Sequence, residues 1–111
     1  GERRMAVKIY HAAKERLIDI WDYTEQTWGE EQADKYVRGL IEAIHAAVGK
    51  RHRWRRLKDE AVSGVFGIRF QHHYVFFREL SDGTLGVISV LHEKMDIPAR
   101  LREDSERGEN A

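Results

Sequence analysis

A two-layer α+β domain in the order β-α-α-β-β-β, with a short helix at the end, follows from three features of this 111-residue chain. Two long helical periodicities stand either side of a single glycine, Gly29. Three β-branched and aromatic segments follow in the second half. The length, 13.0 kDa, suits one core and no more, because a chain of this size buries about 65% of its unfolded surface.

Residues 7–10, Val-Lys-Ile-Tyr, alternate and predict a short strand. Ala13, Leu17, Ile20, Trp21, Thr24 and Trp28 then fall on one face of a helix, with Lys14, Glu15, Asp19, Asp22 and Glu25 opposite. Both tryptophans are therefore expected in the core. Gly29 is the natural cap, since glycine enters positive φ without a Cβ penalty. A second helix opens at Glu30 and Glu31, acids suited to the positive end of its dipole. Its stripe is Ala33, Tyr36, Val37, Leu40, Ile41, Ile44, Ala47 and Val48, and Gly49 ends it. Two amphipathic helices joined by a tight glycine turn make a helical hairpin.

Residues 65–70 and 74–80 are rich in β-formers. Asp82-Gly83 marks the hairpin turn into a third run, 85–91, whose weaker alternation suits a central strand covered on both faces. Strands joined by short turns pair antiparallel, and the helical hairpin must bury its stripe on the sheet they form. Pro98 opens a short helix over about residues 99–103. The domain is thus expected over residues 5–103. Residues 104–111 are expected as a flexible tail, and residues 1–4, which precede Met5, as a remnant or a disordered lead.

Composition narrows the function classes. At 41% hydrophobic and 34% charged the chain is a globular domain, not a disordered one. Nineteen Lys plus Arg balance nineteen Asp plus Glu, which excludes a wholly cationic polyanion binder but leaves room for a local basic patch. The absence of cysteine excludes a disulfide scaffold, a thiolate zinc site and a cysteine nucleophile. No apolar run approaches the ~18 residues of a membrane helix, and no secretory leader is expected, so the expected location is cytoplasmic with no membrane partner.

One basic patch exists. Residues 50–58, Lys-Arg-His-Arg-Trp-Arg-Arg-Leu-Lys, hold six cations and no acid, and no regular structure is assigned to them. Arg51, Arg53, Trp54, Arg55 and Arg56 are candidates for binding an antagonist or a target. An acidic partner segment would gain on-rate from them, and arginine on phosphate with Trp54 on a base is the nucleic-acid alternative. A solvated loop is the plain alternative. His72-His73, with His11, His45 and His52, invites a metal. It is rejected, because adjacent strand residues point to opposite faces and no acid is placed to complete a site. No cofactor is expected.

Three stretches together resemble a known family: Trp28-Gly29-Glu30-Glu31-Gln32-Ala33; Gly67-Ile68-Arg69 with Tyr74-Val75-Phe76-Phe77-Arg78; and Val90-Leu91-His92-Glu93-Lys94-Met95-Asp96. In this order they resemble the ParE branch of the RelE/ParE superfamily, the toxins of type II toxin–antitoxin modules, over about residues 6–101. Trp28, Gly29, His92, Met95 and Asp96 carry the family motif. The resemblance implies the RelE/ParE-like fold, a cognate antitoxin, and DNA gyrase as target through its A subunit. It also implies a hetero-oligomer held on operator DNA through the antitoxin. ParE-like members poison gyrase by binding, whereas RelE-like members cut mRNA on the ribosome, so the fold alone does not choose.

RNA cleavage on this fold needs cations at the phosphate, a base and an acid. Arg69 and Arg78 match basic sheet positions of RelE-like toxins, and His92 suits an acid or base; together they are the catalytic set if the chain is a nuclease. Residues 75–111 contain no tyrosine, however, and the RelE-like toxins often carry one near the C-terminus. The expectation is therefore a gyrase poison with no catalytic residues of its own. The alternatives are a ribosome-dependent nuclease and a non-toxic interaction module. Arg69 and Arg78 also stand as candidates for partner binding, or as simple partners of Glu79 and Glu93. His92 has the plain alternative of closing its strand through the backbone.

Overall fold

The computed structural model describes residues 7–59 and 62–108. The elements are β1 (Val7–Ile9), α1 (His11–Trp28), α2 (Glu30–Ala47), a 3-10 turn (Arg51–Arg53), β2 (Arg55–Arg56), β3 (Phe66–Phe70), β4 (His73–Glu79), β5 (Leu85–His92) and α3 (Ile97–Arg107). The sheet runs β1-β5-β4-β3-β2. β1 lies parallel to β5, and the other pairs are antiparallel. This is the expected α+β architecture, with the helical hairpin on a mainly antiparallel sheet and a C-terminal helix.

Gly29 turns the chain between the two long helices at φ 97°. Its amide donates to the Glu25 carbonyl at 2.9 Å, and its carbonyl accepts from Ala33 N–H at 3.1 Å, so one residue caps α1 and starts α2. The helices bury Ala13, Leu17, Leu40 and Ile44 against Val75, Phe77, Leu85, Val87 and Val90 of the sheet. The alternate residues of the same strands, Phe76, Ile88 and Leu91, face the other way and meet Leu101 of α3 with Val62 and Val65. The sheet is therefore covered on both faces over β5, whose residues Leu85 to Leu91 are all buried.

The weak alternation of β5 has a definite cause. The β4–β5 register slips between Phe76 and Phe77, which pair with Ser89 and Val87. Ile88 is the extra residue of a β-bulge, so Ile88 and Ser89 both face α3. Ser89 and Asp104, both buried, bond each other at 2.6 Å, and Arg16 of α1 donates to both Asp104 oxygens at 2.9 and 3.1 Å. This network, which fastens α1 to α3, has no signature in the local sequence.

It also corrects the expected tail. Asp104 is 2% exposed and the helix continues to Arg107, so residues 104–107 belong to the packed domain. Asp96 is the N-cap of this helix, its Oδ1 accepting from Ala99 N–H at 3.4 Å. Residues 1–4 and 109–111 lie outside the described residues, as does Met5.

Candidate functional site

Two surfaces of different chemistry stand at opposite ends of α2. The first is a cleft of about 640 Å³ between α1, the start of α2 and the far ends of β4 and β5. Tyr23, Trp28, Tyr36, His73, His92 and Met95 are among its walls. Trp28 is 71% exposed and Tyr23 is 69% exposed. The expectation that Trp28 lies in the core is thereby corrected. It is the last residue of α1, one turn beyond the buried Thr24, and stands on the wall of the cleft. Trp21, half-buried, donates from Nε1 to Asp34 Oδ1 at 2.8 Å and so ties α1 to α2.

The floor of this cleft is a histidine cluster that sequence reasoning missed. Register places His73 opposite His92, and the β3–β4 turn brings His72 beside them. The His73 and His92 rings meet edge to face at 5.0 Å, and those of His72 and His92 lie parallel at 6.2 Å. Tyr36 Oη and His73 Nδ1 are hydrogen-bonded at 2.7 Å. His92 Nδ1 accepts from Lys94 N–H at 3.0 Å, the backbone-closing role. Glu93, contrary to the expectation of no nearby acid, bonds His72 Nδ1 at 2.8 Å and pairs with Arg69. Those bonds hold the Glu93 carboxyl below its usual range, that from His72 above all, together with the charge of Arg69. Among the described residues no group of three or more His, Asp or Glu side chains is arranged to hold a metal ion.

Burial pushes the His73 pKa down to about 4, with the neighbouring His92 and His72 adding to the effect. Burial likewise raises that of Tyr36. His73 is thus a neutral imidazole at pH 7. Its folded pKa lies below the ordinary ~6.5, so the fold favours the neutral form. That stability is complete above about pH 6.5 and is lost as pH falls towards 4. The loss amounts to about 2 kcal/mol by pH 5 and on the order of 3 kcal/mol by pH 4. His73→Asn keeps an acceptor for Tyr36 and does not titrate, so its urea midpoint should fall less between pH 7 and pH 5. Equal slopes for the two proteins in that window would refute this account.

The second surface gathers the basic segment. Arg51 to Arg53 form a 3-10 turn and Arg55-Arg56 a two-residue edge strand on β3, where no regular structure is expected from sequence. The pairing of Arg55 with Gly67 and of Arg56 with Phe66 makes this strand, not any local β-propensity. A shallow hollow of about 720 Å³ is lined by Lys50, His52, Arg53 and Arg55 over a floor that includes Ala46, Ala47, Trp54 and Ile68. Trp54 departs from its expected part as a base-stacking or partner-facing ring. Its Nε1 donates to the Ala47 carbonyl at 2.8 Å, and its ring packs on Phe77 at 4.9 Å and Phe66 at 5.3 Å. Trp54 anchors the segment so that the cations around it face outward. Arg51 makes a two-pronged pair with Glu79 at 2.7 and 2.8 Å.

The three residues of a nuclease centre do not meet. Arg69 lies over the Tyr74 ring, and His92 faces the opposite side of the sheet with His73. Arg78 is four residues beyond Tyr74 along β4, roughly 13 Å away. It is half-buried and donates to Ser105 Oγ at 3.3 Å.

Comparison with known proteins bears on the family and the fold. The family described as "ParE toxin of type II toxin-antitoxin system, parDE" matches residues 7–97. Toxin ParE1 of Mycobacterium tuberculosis is 38% identical over 90 residues, covering 81% of this chain and 91% of the relative. Toxin ParE1 of Caulobacter vibrioides is 36% identical over 100 residues, covering 85% and 95%. Among solved structures, the chromosomal ParDE system of P. aeruginosa superposes with a TM-score of 0.66 at 20% identity, covering 79% of this chain and 95% of that one. The RelBE2 toxin–antitoxin complex of Mycobacterium tuberculosis superposes with a TM-score of 0.61 at 14% identity, covering 83% and 94%. The chain belongs to the ParE toxin family of type II toxin–antitoxin systems.

Proposed function

We propose that this chain is the toxin of a type II module that inhibits DNA gyrase by binding, trapping it on cleaved DNA, and that a cognate antitoxin neutralises it. The observation that carries the choice of gyrase over mRNA is the separation of Arg69, Arg78 and His92. Cleavage of RNA on this fold needs cations, base and acid around one phosphate. Here the two arginines lie roughly 13 Å apart along the sheet, Arg69 is joined to the histidine cluster through the acid Glu93, which neutralises it, and the His92 Nδ1 is occupied by the Lys94 amide. A binding mechanism requires none of these to converge. Both partners, and an assembly on operator DNA through the antitoxin, place the toxin in the cytoplasm.

The cleft is the antitoxin's site in this proposal. The solved neighbours include a ParDE system and a RelBE2 toxin–antitoxin complex, which supports an antitoxin partner here. Exposed Trp28, Tyr23 and Met95 around a partly apolar cleft supply the aromatic anchors that protein interfaces favour. Trp28→Ala is expected to weaken antitoxin binding by about 2 kcal/mol or more, roughly thirtyfold, while leaving the melting temperature nearly unchanged. Unaltered affinity in a titration calorimeter would place the antitoxin elsewhere.

The deciding assay is supercoiling of relaxed plasmid by gyrase and ATP, with detergent and protease release of trapped DNA. Loss of supercoiling with linear, protein-linked plasmid is the expected result. Unaffected gyrase with a folded toxin would overturn the proposal. Cleavage of mRNA on translating ribosomes by the same preparation would then identify a nuclease, and its absence a binding module without toxicity.

A further inference from the structure

Among the described residues the basic end of the domain carries charge without any large apolar side chain exposed beside it, and this combination selects its partner. Lys50, Arg53, Arg55 and Lys58 are exposed and have no acidic partner among the described residues. Among the described residues the Arg56 side chain makes a ring contact, its guanidinium 5.5 Å from the centre of Phe66, and no ion pair. The nearby acids among the described residues are otherwise engaged, Glu79 by Arg51 and Asp59 by Arg102. The apolar residues of the segment point inward: Trp54 packs on Phe66 and Phe77, and Leu57 joins the Val62–Leu101 cluster.

A protein partner draws its affinity from buried aromatic and aliphatic anchors, with charge at the rim. A nucleic-acid backbone needs positive charge and polar contacts and no such anchor. Single strands are gripped by stacking aromatics, and the one aromatic of this segment, half-buried Trp54, is already engaged by Phe66, Phe77 and the Ala47 carbonyl. We propose that the edge formed by the 3-10 turn and β2 binds the phosphate backbone of duplex DNA, without reading its sequence.

The position of the edge permits this alongside a protein partner. Tyr36, on the wall of the aromatic cleft, and Ala47, beside the basic hollow, are eleven residues apart on α2, which is about 16 Å of helix. DNA at one end and protein at the other do not compete for the same side chains. The proposal goes beyond gyrase inhibition, and its test contains no gyrase, so either reading can fail without the other.

The test is fluorescence anisotropy of a labelled duplex of about 20 base pairs with the full chain. Engagement of about four phosphates predicts a dissociation constant in the non-specific range, ~10⁻⁵ M, at physiological salt, and binding about fiftyfold tighter at about 50 mM. It predicts a loss of about 150-fold between about 50 and 200 mM. Arg53→Glu with Arg55→Glu should weaken binding at least tenfold. Lys14→Glu with Lys35→Glu, the same change of net charge at exposed positions elsewhere, should weaken it less than threefold. Circular dichroism checks that each variant is folded, and Lys50→Glu with Lys58→Glu serves if the arginine pair is not. No binding at low salt would overturn the proposal, as would equal loss in patch and control variants. Tighter binding of polyglutamate of matched charge would also overturn it and assign the edge to an acidic protein segment.

Discussion

Asp104→Ala is expected to cost about 3–5 kcal/mol, as loss of one partner of a buried ion pair does. The carboxylate is 2% exposed and takes both prongs of the Arg16 guanidinium as well as the Ser89 hydroxyl. Its removal leaves a half-buried cation and a buried hydroxyl without an acceptor, and each carries its full desolvation cost. A domain of this kind holds only about 5–15 kcal/mol in total, so the variant should be unfolded at modest denaturant. Replacement of the whole network, Arg16→Met with Ser89→Ala and Asp104→Leu, should lose less than Asp104→Ala alone, because no polar group is then left unpaired. Guanidinium titrations of the two variants distinguish this account from simple loss of packing. A triple variant weaker than the single one, or an Asp104→Ala loss under about 1 kcal/mol, would contradict it.

Phe77→Ala should fall in the same range, about 3–5 kcal/mol. The ring is 1% exposed and sits at the middle of the sheet, with Trp54 edge-on at 4.9 Å and Phe66 stacked at 6.2 Å. Truncation opens a cavity between sheet and helices and also removes the surface on which Trp54 rests. The near-ultraviolet signal of Trp54 should therefore weaken in the folded variant, as the basic segment loses its anchor. Phe77→Leu, which keeps most of the volume, should cost under about 1.5 kcal/mol. Indistinguishable losses for the alanine and leucine variants would mean that the cavity collapses and that Trp54 is held by its bond to Ala47 alone.

The helices and strands were legible in the chain because their causes are local. The apolar stripe Ala33, Leu40, Ile44 and Ala47 faces the sheet because residues three and four apart share a helix face, and all four are buried. Gly29 and Asp82-Gly83 mark their turns by the positive φ that glycine accepts. The basic edge strand was not legible, since two arginines become a strand only when β3 offers them partners. Nor was the true end of α3, because Asp104 and Arg107 look like tail residues until Arg16 and Glu15 are seen beside them. The candidate site was legible in part. The basic residues stood out as a run, whereas the family-motif residue Trp28 was assigned to the core by the same periodicity that placed Leu17 correctly.

The sequence by itself determined the order of elements, the helical hairpin, the mainly antiparallel sheet and the family. Periodicity, turn chemistry and motif order are properties of residues a few positions apart. Only the tertiary structure decided what the side chains do: that His73 meets Tyr36 across 37 positions and that Arg16 meets Asp104 across 88. It also decided that Arg69, Arg78 and His92 stay apart while Trp28 faces water. The reason is that burial and pairing depend on which elements pack together and where each one ends. A residue's place on its own helix or strand does not contain that information.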